Sequence, residues 1–412
     1  MREFDLVIIG GGAAGFFAAI NAAQMAPKLK IAIIERSKEG LQKVRISGGG
    51  RCNVTNAIQE PAELIKYYPR GSAELYNPFN VFGSKETYEW FEKRQVKLKI
   101  EADGRVFPQS NQSESIINCF KSEIAKYDIS IFYSEKIINI VKKRNIFELK
   151  ADSGQEYACS YLMLATGSDK PMIEKVKQLG HETIEAVPSL FTFHIDDKEL
   201  HELAGTSFQK SIAEIIGEKL HQDGPLLVTH WGLSGPAILK LSAWGARVLN
   251  MKAYNFDLKL NFLPDVSENA KIESFKKQAL VNPKKAVIAN PEFGLSQKFW
   301  KYICQKAQIN ENQKWAETGK KQWSAIEQVL SKRVYKVTGK STFKEEFVTA
   351  GGIILSEVDH NTMESKKASN LYFAGEVLNV DGITGGFNFQ NAWTTGWIAA
   401  KAIAEKSGVI AF

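Results

Sequence analysis

An almost wholly apolar run, Phe4 to Ile9, leads directly into Gly10-Gly11-Gly12, and Ala13 to Met25 follow with mostly small or apolar side chains. Few architectures accept such a beginning. A short run of this kind fits a strand covered on both faces, which points to a parallel sheet. The small residues after it read as a helix lying close on that strand. Lys30–Glu35 reads as a second apolar strand, so the opening predicts a βαβ unit. Within it Gly10, Gly12 and Gly15 have the G-x-G-x-x-G spacing. Gly10 permits the tight turn, Gly12 lets the backbone approach a pyrophosphate, and Gly15 lets helix and strand pack closely. The helix start offers free N–H groups and a partial positive charge. Glu35, at the end of the second strand, is placed to accept hydrogen bonds from ribose hydroxyls and disfavours a 2′-phosphate. The unit predicts dinucleotide binding and argues against NADP at this site.

The last segment separates FAD from NAD. "LYFAGE" is an apolar strand ending in Gly375-Glu376; Asp381-Gly382-Ile383-Thr384-Gly385-Gly386 follows, and a helix is expected from about Asn388. A second glycine-rich helix start is superfluous for NAD and sensible for FAD. Glu376 is read as a partner of ribitol hydroxyls. Backbone N–H groups near Gly386–Phe389 are read as facing the pyrimidine edge of a flavin, where negative charge develops on reduction.

Between these ends the texture changes. Lys136–Ala165 alternates like an antiparallel meander with a turn at Asp152-Ser153-Gly154. Ser211–Glu218 and Leu226–His230 read as strands joined by Gln222-Asp223-Gly224. Pro236–Trp244 reads as a helix with Ser234 as its N-cap. Ser267 to about Leu330 is polar and helical, and strands return after Arg333. With 412 residues, more than one core is expected. The expected class is α/β: a discontinuous Rossmann-like domain (1–187 and 340–412), an inserted β-rich domain (188–265 and 331–339), and a helical subdomain within that (266–330).

Composition removes several classes. Apolar content of 44% and charge of 24% describe a soluble globular chain. Asp5 and the glycines interrupt the N-terminal apolar stretch, so it does not read as a signal peptide, and no run of eighteen apolar residues follows; a cytoplasmic protein is expected. Cys52, Cys119, Cys159 and Cys304 stand far apart without CxxC pairing, and the histidines lack ligand spacing, so reduced thiols and no metal are expected. The net charge of +7 is spread along the chain. That reads as a solvated surface and ranks nucleic acid below a small-molecule partner.

"VIIGGGAAG", "SGGGRCNVTN", "DGRVFP", "LATG", "THWGLSGPAILKLS", "VTAGGI", "TMESK" and "LYFAGEVLNVDGITGGFNFQNAW" occur in this order. Together they resemble the bacterial YhiN/BaiN-type flavoprotein family, of the glutathione-reductase-like two-dinucleotide-binding superfamily, along nearly the whole chain. The resemblance implies FAD, a discontinuous Rossmann-like domain, an inserted β-barrel-like domain and a helical subdomain inside it. The cofactor set expected on these grounds is Gly10, Gly12, Ala13, Ala14, Gly15, Glu35, Arg36, Ser47, Gly48, Gly49, Gly50, Arg51, Cys52, Asn53, Thr166, Gly167, Gly375, Glu376, Asp381, Gly382, Gly385, Gly386, Phe387 and Asn388. The chain departs from the family pattern at Ser168, after "ATG", and at Asn379, where an acid is usual.

The reaction is less constrained. Disulfide reductases of that superfamily carry two cysteines with four residues between them; here Ala57 stands where Cys52 would find its partner, so a dithiol relay is disfavoured and Cys52 reads as a small buried residue. Arg51 and Arg105 are candidates for anion contacts. His230, in "THWGLSGP", is a candidate general acid. No second G-x-G-x-x-G exists, so a nicotinamide donor would bind transiently. The reading is an FAD-dependent oxidoreductase that passes electrons from NAD(P)H to a small organic substrate, of the activated-double-bond reductase or amine oxidase type. The alternatives are an RNA-modifying flavoenzyme, with Lys276, Lys277, Lys284, Lys285, Lys320 and Lys321 as its surface, and a flavin-binding protein without turnover.

Overall fold

The computed structural model describes residues 1–341 and 348–408. The chain divides into two compact units, Met1–Ser189 with Phe343–Phe412, and Leu190–Thr342.

The first unit is built on a parallel sheet. Strand β1 (Arg2–Ile9) lies between β2 (Ile31–Ile34) and Glu156–Leu164, parallel to both. Ser130–Phe132 extends the sheet beyond β2, and Leu371–Phe373 extends it beyond Glu156–Leu164, again in parallel. Leu6, Val7, Ile8 and all of β2 are buried, which explains why these strands run apolar without alternation. Helix α1 (Ala13–Met25) follows β1, and the C-terminal helix (Phe387–Lys406) packs against it. Their approach is close: a Cβ on Gly396 would stand 3.0 Å from the Ala14 carbonyl oxygen. The ring of Phe17 packs on Trp90 at 4.5 Å and on Trp393 at 5.2 Å between centroids, joining the two ends of the chain in one core. The expected meander is present as Ile137–Lys143, Ile146–Ala151 and the first half of Glu156–Leu164. A small antiparallel sheet of Thr55–Asn56, Arg105–Pro108 and Leu98–Ile100 completes the part that concerns the site.

The second unit is a closed six-stranded antiparallel barrel. Its order is Phe193–Ile195, Gly232–Ser234, Leu220–Thr229, Ser207–Ile215, Phe256–Asn261 and Arg333–Lys340, which pairs back to the first. Helices Glu268–Val281, Gln297–Lys306 and Lys320–Lys332 lie between the last two of these strands in sequence. Those strands are neighbours, with Leu260 opposite Arg333. The insert therefore leaves and rejoins the barrel at one place and needs no gap in the hydrogen-bonded wall.

Two local expectations are corrected. The hairpin expected to turn at Gln222-Asp223-Gly224 turns at Ile216–Lys219, where Gly217 takes φ +85°. Gly224 instead sits inside a strand opposite Ser211, at a register shift, and its carbonyl accepts the Ser211 hydroxyl. Ser234 does not cap the helix Pro236–Trp244: it belongs to a strand, and Gly235 at φ +95° takes the cap position.

Candidate cofactor site

The carboxyl ends of three adjacent parallel strands, β1, Glu156–Leu164 and Leu371–Phe373, carry Gly10, Thr166-Gly167 and Gly375-Glu376 to one edge of the sheet. Crevices at such strand ends are where open α/β sheets bind ligands. Gly10 turns there at φ +112°, and a Cβ on it would lie 2.4 Å from the Ala165 carbonyl oxygen. A Cβ on Gly15 would lie 2.0 Å from the Gly10 oxygen, so α1 sits on the strand at a distance that only glycine allows. Around Gly12 the situation is the reverse: a Cβ there would meet nothing within 4 Å. The start of α1 thus has an open cradle beside its free N–H groups. Ala14 touches the other loop, 3.1 Å from where Gly375 would carry a Cβ.

Glu35 stands over this turn. Its carboxylate accepts from the Gly11 N–H at 2.7 Å and the Ser37 N–H at 2.7 Å, which fixes its orientation. Arg36 pairs with Asp169 at the start of another helix. Glu376 is held by the Thr349 N–H at 2.8 Å, the Thr349 hydroxyl at 3.1 Å and the Lys43 ammonium at 2.6 Å. It lies 3.6 Å from the Cβ position of Gly167. Thr166 Oγ1, alongside Gly10, is buried without a hydrogen-bond partner among the described residues. An open glycine cradle at a helix start, two carboxylates beside it and an orphaned hydroxyl fit a dinucleotide with a polyhydroxyl chain.

The loop Ile46–Asn56 borders this region. Helical backbone from Gln42 breaks at Ser47, which is extended, and Gly48, Gly49 and Gly50 all take left-handed values of φ +58°, +68° and +82°. Three such residues in a row are what side-chain-bearing residues resist. Gly49 and Gly50 have nothing within 4 Å of their Cβ positions, so their backbone is accessible to a flat ligand. Cys52 closes the loop at φ +61°, fully buried, with burial pushing its thiol up to about 12 against a smaller opposing effect of Ser47. It carries no thiolate at neutral pH.

Several side chains that sequence reasoning gave to the cofactor are turned to the protein instead. With its amide oriented to satisfy both ends, Asn53 donates to the carbonyls of Val106 and Thr55 and accepts from the Gly386 N–H at 2.9 Å. Asp381 is wholly buried, its carboxylate bound by Arg70 and by the Ser189 hydroxyl at 2.8 Å. Burial pushes this carboxyl above its usual range although Arg70 pulls it down. Asn388 exchanges two hydrogen bonds with the backbone of Gly382. Phe387 is buried and stacks on Tyr67 at 4.6 Å. These residues build the second glycine loop, and much of its backbone is spent on them: the Gly386 N–H, expected to face a flavin, goes to Asn53, and the Gly385 carbonyl accepts from Asn56.

Arg51 and Arg105 come together, but not as free anion hooks. Both pair with Glu101, at 2.7 and 3.1 Å, and both stand over the Phe107 ring, while Arg105 also binds Asp103. Two carboxylates neutralise the two guanidinium groups. His230 is exposed in the barrel unit, on the two-residue turn His230-Trp231 between Leu220–Thr229 and Gly232–Ser234. Lys43, Thr349, Arg70 and Glu101 were not found from sequence. Their partners lie up to 333 residues away or outside any recognisable pattern, so no local signal marks them.

A parallel sheet whose first turn is a glycine cradle, with an acid at the end of β2 and a second glycine-rich helix start brought to the same edge, is the Rossmann-like FAD-binding fold of flavin-dependent oxidoreductases. The chain belongs to the HI0933-like family: the family model described as "HI0933-like protein Rossmann domain" matches residues 4–402. It is 27% identical over 413 residues to the 3-dehydro-bile acid delta(4,6)-reductase of Clostridium scindens, covering 97% of this chain and 98% of that one. It is 28% identical over 425 residues to the ribosomal RNA dihydrouridine synthase of Escherichia coli, covering 99% and 100%. Among solved structures, the 3-ketosteroid-delta4-(5alpha)-dehydrogenase of Rhodococcus jostii RHA1 shares the fold with a TM-score of 0.53 at 14% identity, over 98% of this chain and 97% of that one.

Proposed function

We propose that the protein is an FAD-dependent reductase of a carbon–carbon double bond conjugated to a carbonyl. The observation that carries this is the joining of the two glycine loops at one sheet edge, which fits FAD and gives NAD no use for the second loop. The two curated relatives have names that describe one chemistry: saturation of a 3-oxo steroid double bond and saturation of the uracil ring both reduce an alkene polarised by a neighbouring carbonyl. Bound FAD would supply the hydride. Gly12 and the first turn of α1 would hold the diphosphate, Glu35 the adenosine ribose, and Glu376 with Thr166 the ribitol. The accessible backbone at Gly49–Gly50 and the first turn of the helix Phe387–Lys406 would border the flavin ring. NAD(P)H is the proposed donor, docking transiently because no second fingerprint exists.

Between the two acceptors, the distribution of charge favours uridine in RNA. Leu190–Thr342 contains 22 Lys and Arg against 15 Asp and Glu, so the whole net charge of +7 belongs to the barrel unit and the α/β unit is neutral. A small apolar enone makes no use of such a division, whereas a polyanion does.

The test is direct. The purified protein should show a flavin spectrum that bleaches anaerobically with NADH or NADPH. Adding rRNA from a strain lacking the gene should restore the oxidised spectrum and leave dihydrouridine in the RNA. Absence of any bound or rebindable flavin would overturn the reading. Reoxidation by 3-oxo-Δ4 steroids and not by RNA would assign the small substrate.

A further inference from the structure

The charge is divided more finely than by unit. The helical insert Glu268–Lys332 holds twelve lysines against six glutamates, which is six of the seven net charges of the chain in a segment of three helices. Some of these lysines are spent: Lys271 is buried on the Ser331 hydroxyl, Lys276 pairs with Glu273, Lys301 with Glu311, Lys332 with Glu268, and Lys306 pairs with Asp197 and Glu199 at the short helix Lys198–His201. Others are exposed and in no ion pair among the described residues, and four of them belong to the end of the first helix, its exit loop and the segment bridged to that loop.

Lys277, Leu280 and Val281 follow helical spacing along the end of Glu268–Val281, so they share one face, and Lys284 stands three residues beyond them in the exit loop. Leu280 is 76% exposed and Val281 65% exposed, in contrast to Phe275 on the opposite side of the helix, which is buried against Trp315. The exit loop brings the other two cations alongside. Ala286 bridges to Lys314, and the Lys285 carbonyl accepts from the Trp315 N–H at 3.0 Å. Lys285 and Lys314 are exposed there as well. Two bare aliphatic side chains and four exposed lysines on this helix end, its exit loop and the segment bridged to it form a surface that water solvates poorly and that a polyanion with apolar faces would cover.

We infer that this end of the helical insert is the docking surface for the phosphate backbone of an RNA substrate. The inference rests on the proposed RNA reading and adds where the RNA is held. Lysine ammonium groups bind phosphates as point charges and position an RNA without reading its sequence. Leu280 and Val281 give the ribose or base faces of an unstacked segment an apolar contact. Lys276, Lys320 and Lys321 are not needed for the assignment.

The test uses the full-length protein with flavin bound, and protein-free rRNA from a strain lacking the gene as the probe. Binding is measured from 50 to 300 mM KCl for wild type, K277E/K284E/K285E and K277R/K284R/K285R. Melting temperature and bleaching by NAD(P)H are the controls for fold. Wild type should bind with strong salt dependence. The glutamate variant should lose at least tenfold in affinity at low salt and about two to three units of the log–log salt slope, given roughly 0.7–0.9 per phosphate contact. The arginine variant should bind as wild type does. Wild-type RNA binding with an unchanged glutamate variant would overturn the docking surface and leave the RNA reading standing. No RNA binding by wild type at 50 mM KCl would overturn both. Binding to phosphatidylglycerol vesicles in place of RNA would assign the surface to a membrane and overturn the inference as well.

Discussion

Cys52 is the residue on which a thiol-redox reading of the chain would turn, and its surroundings close that route. The thiol is buried, displaced upward to about 12, and set in a left-handed backbone position between the glycines and Asn53. In the folded protein it should resist iodoacetamide and react only after denaturation. C52S should keep the rate of flavin bleaching within about twofold of wild type, and loss of bleaching with FAD still bound would contradict this. His181 shows how a set of reactive groups can be structural. Its Nδ1 faces Glu357 at 2.9 Å and its Nε2 accepts from the Ser365 hydroxyl at 2.9 Å. Yet Ser365 is 6% exposed and already accepts the N–H groups of Lys367 and Ala368, so no substrate reaches it. Burial lowers the His181 pKa, with Glu357 opposing. A histidine kept neutral in the fold contributes stability above its unfolded pKa of about 6.5; this is lost as pH falls below that value, because the unfolded chain takes up the proton first. The urea midpoint should therefore drop between pH 7.5 and 5.5 more steeply in wild type than in H181Q, and equal slopes would refute it.

At the scale of elements, the site depends on two loops that lie far apart in sequence and are sewn together by side chains. Asn53 meets Gly386, Asn56 donates to the Gly385 carbonyl at 3.1 Å, Thr55 donates to Gln390 at 2.6 Å, and the Trp393 indole donates to the Val54 carbonyl at 2.9 Å. Gly386 is the tightest point: a Cβ would stand 2.4 Å from the Thr55 carbonyl oxygen, at φ +93°. G386A should lower stability by about 2 kcal/mol or more and should weaken FAD binding disproportionately, measured by flavin fluorescence on titration. An unchanged FAD affinity would show that the second loop does not border the ligand. Here the limit of sequence reading is visible. The glycine fingerprint, Glu35 and the span of α1 follow from local spacing, and so were legible. Asn53, Asn388 and Asp381 look like ligand residues because polar side chains beside glycines usually are. That they are spent on the fold depends on partners such as Gly386, Ser189 and Arg70, which only the tertiary structure supplies. The turn at Gly217 was missed because Asp223-Gly224 is the stronger turn signal; a bulge absorbed it.

At the scale of the whole molecule, chemistry and charge are assigned to different units. The α/β unit is neutral and carries the glycine loops; the barrel with its helical insert carries the positive charge. Cofactor and polyanion should therefore act separately on stability. Saturation with FAD at about a hundredfold over its Kd should stabilise the folded protein by about 2.7 kcal/mol, a rise of roughly 3–5 °C in Tm. The triple glutamate variant should show the same rise. A smaller rise in that variant would mean that the insert takes part in holding the cofactor.

The packing of the C-terminal helix against α1 also has a consequence for how the protein is made. The first strand and its glycine turn leave the ribosome early. The helix that completes their core, through Trp393 on Phe17, is translated nearly four hundred residues later. At roughly 5–20 residues per second, the nascent βαβ unit waits tens of seconds for its counterpart while the continuous barrel segment emerges in between. Cofactor capture is thus a late event in the life of each new chain, and a ribosome stalled before Phe387 would display an apolar half-site to the cell.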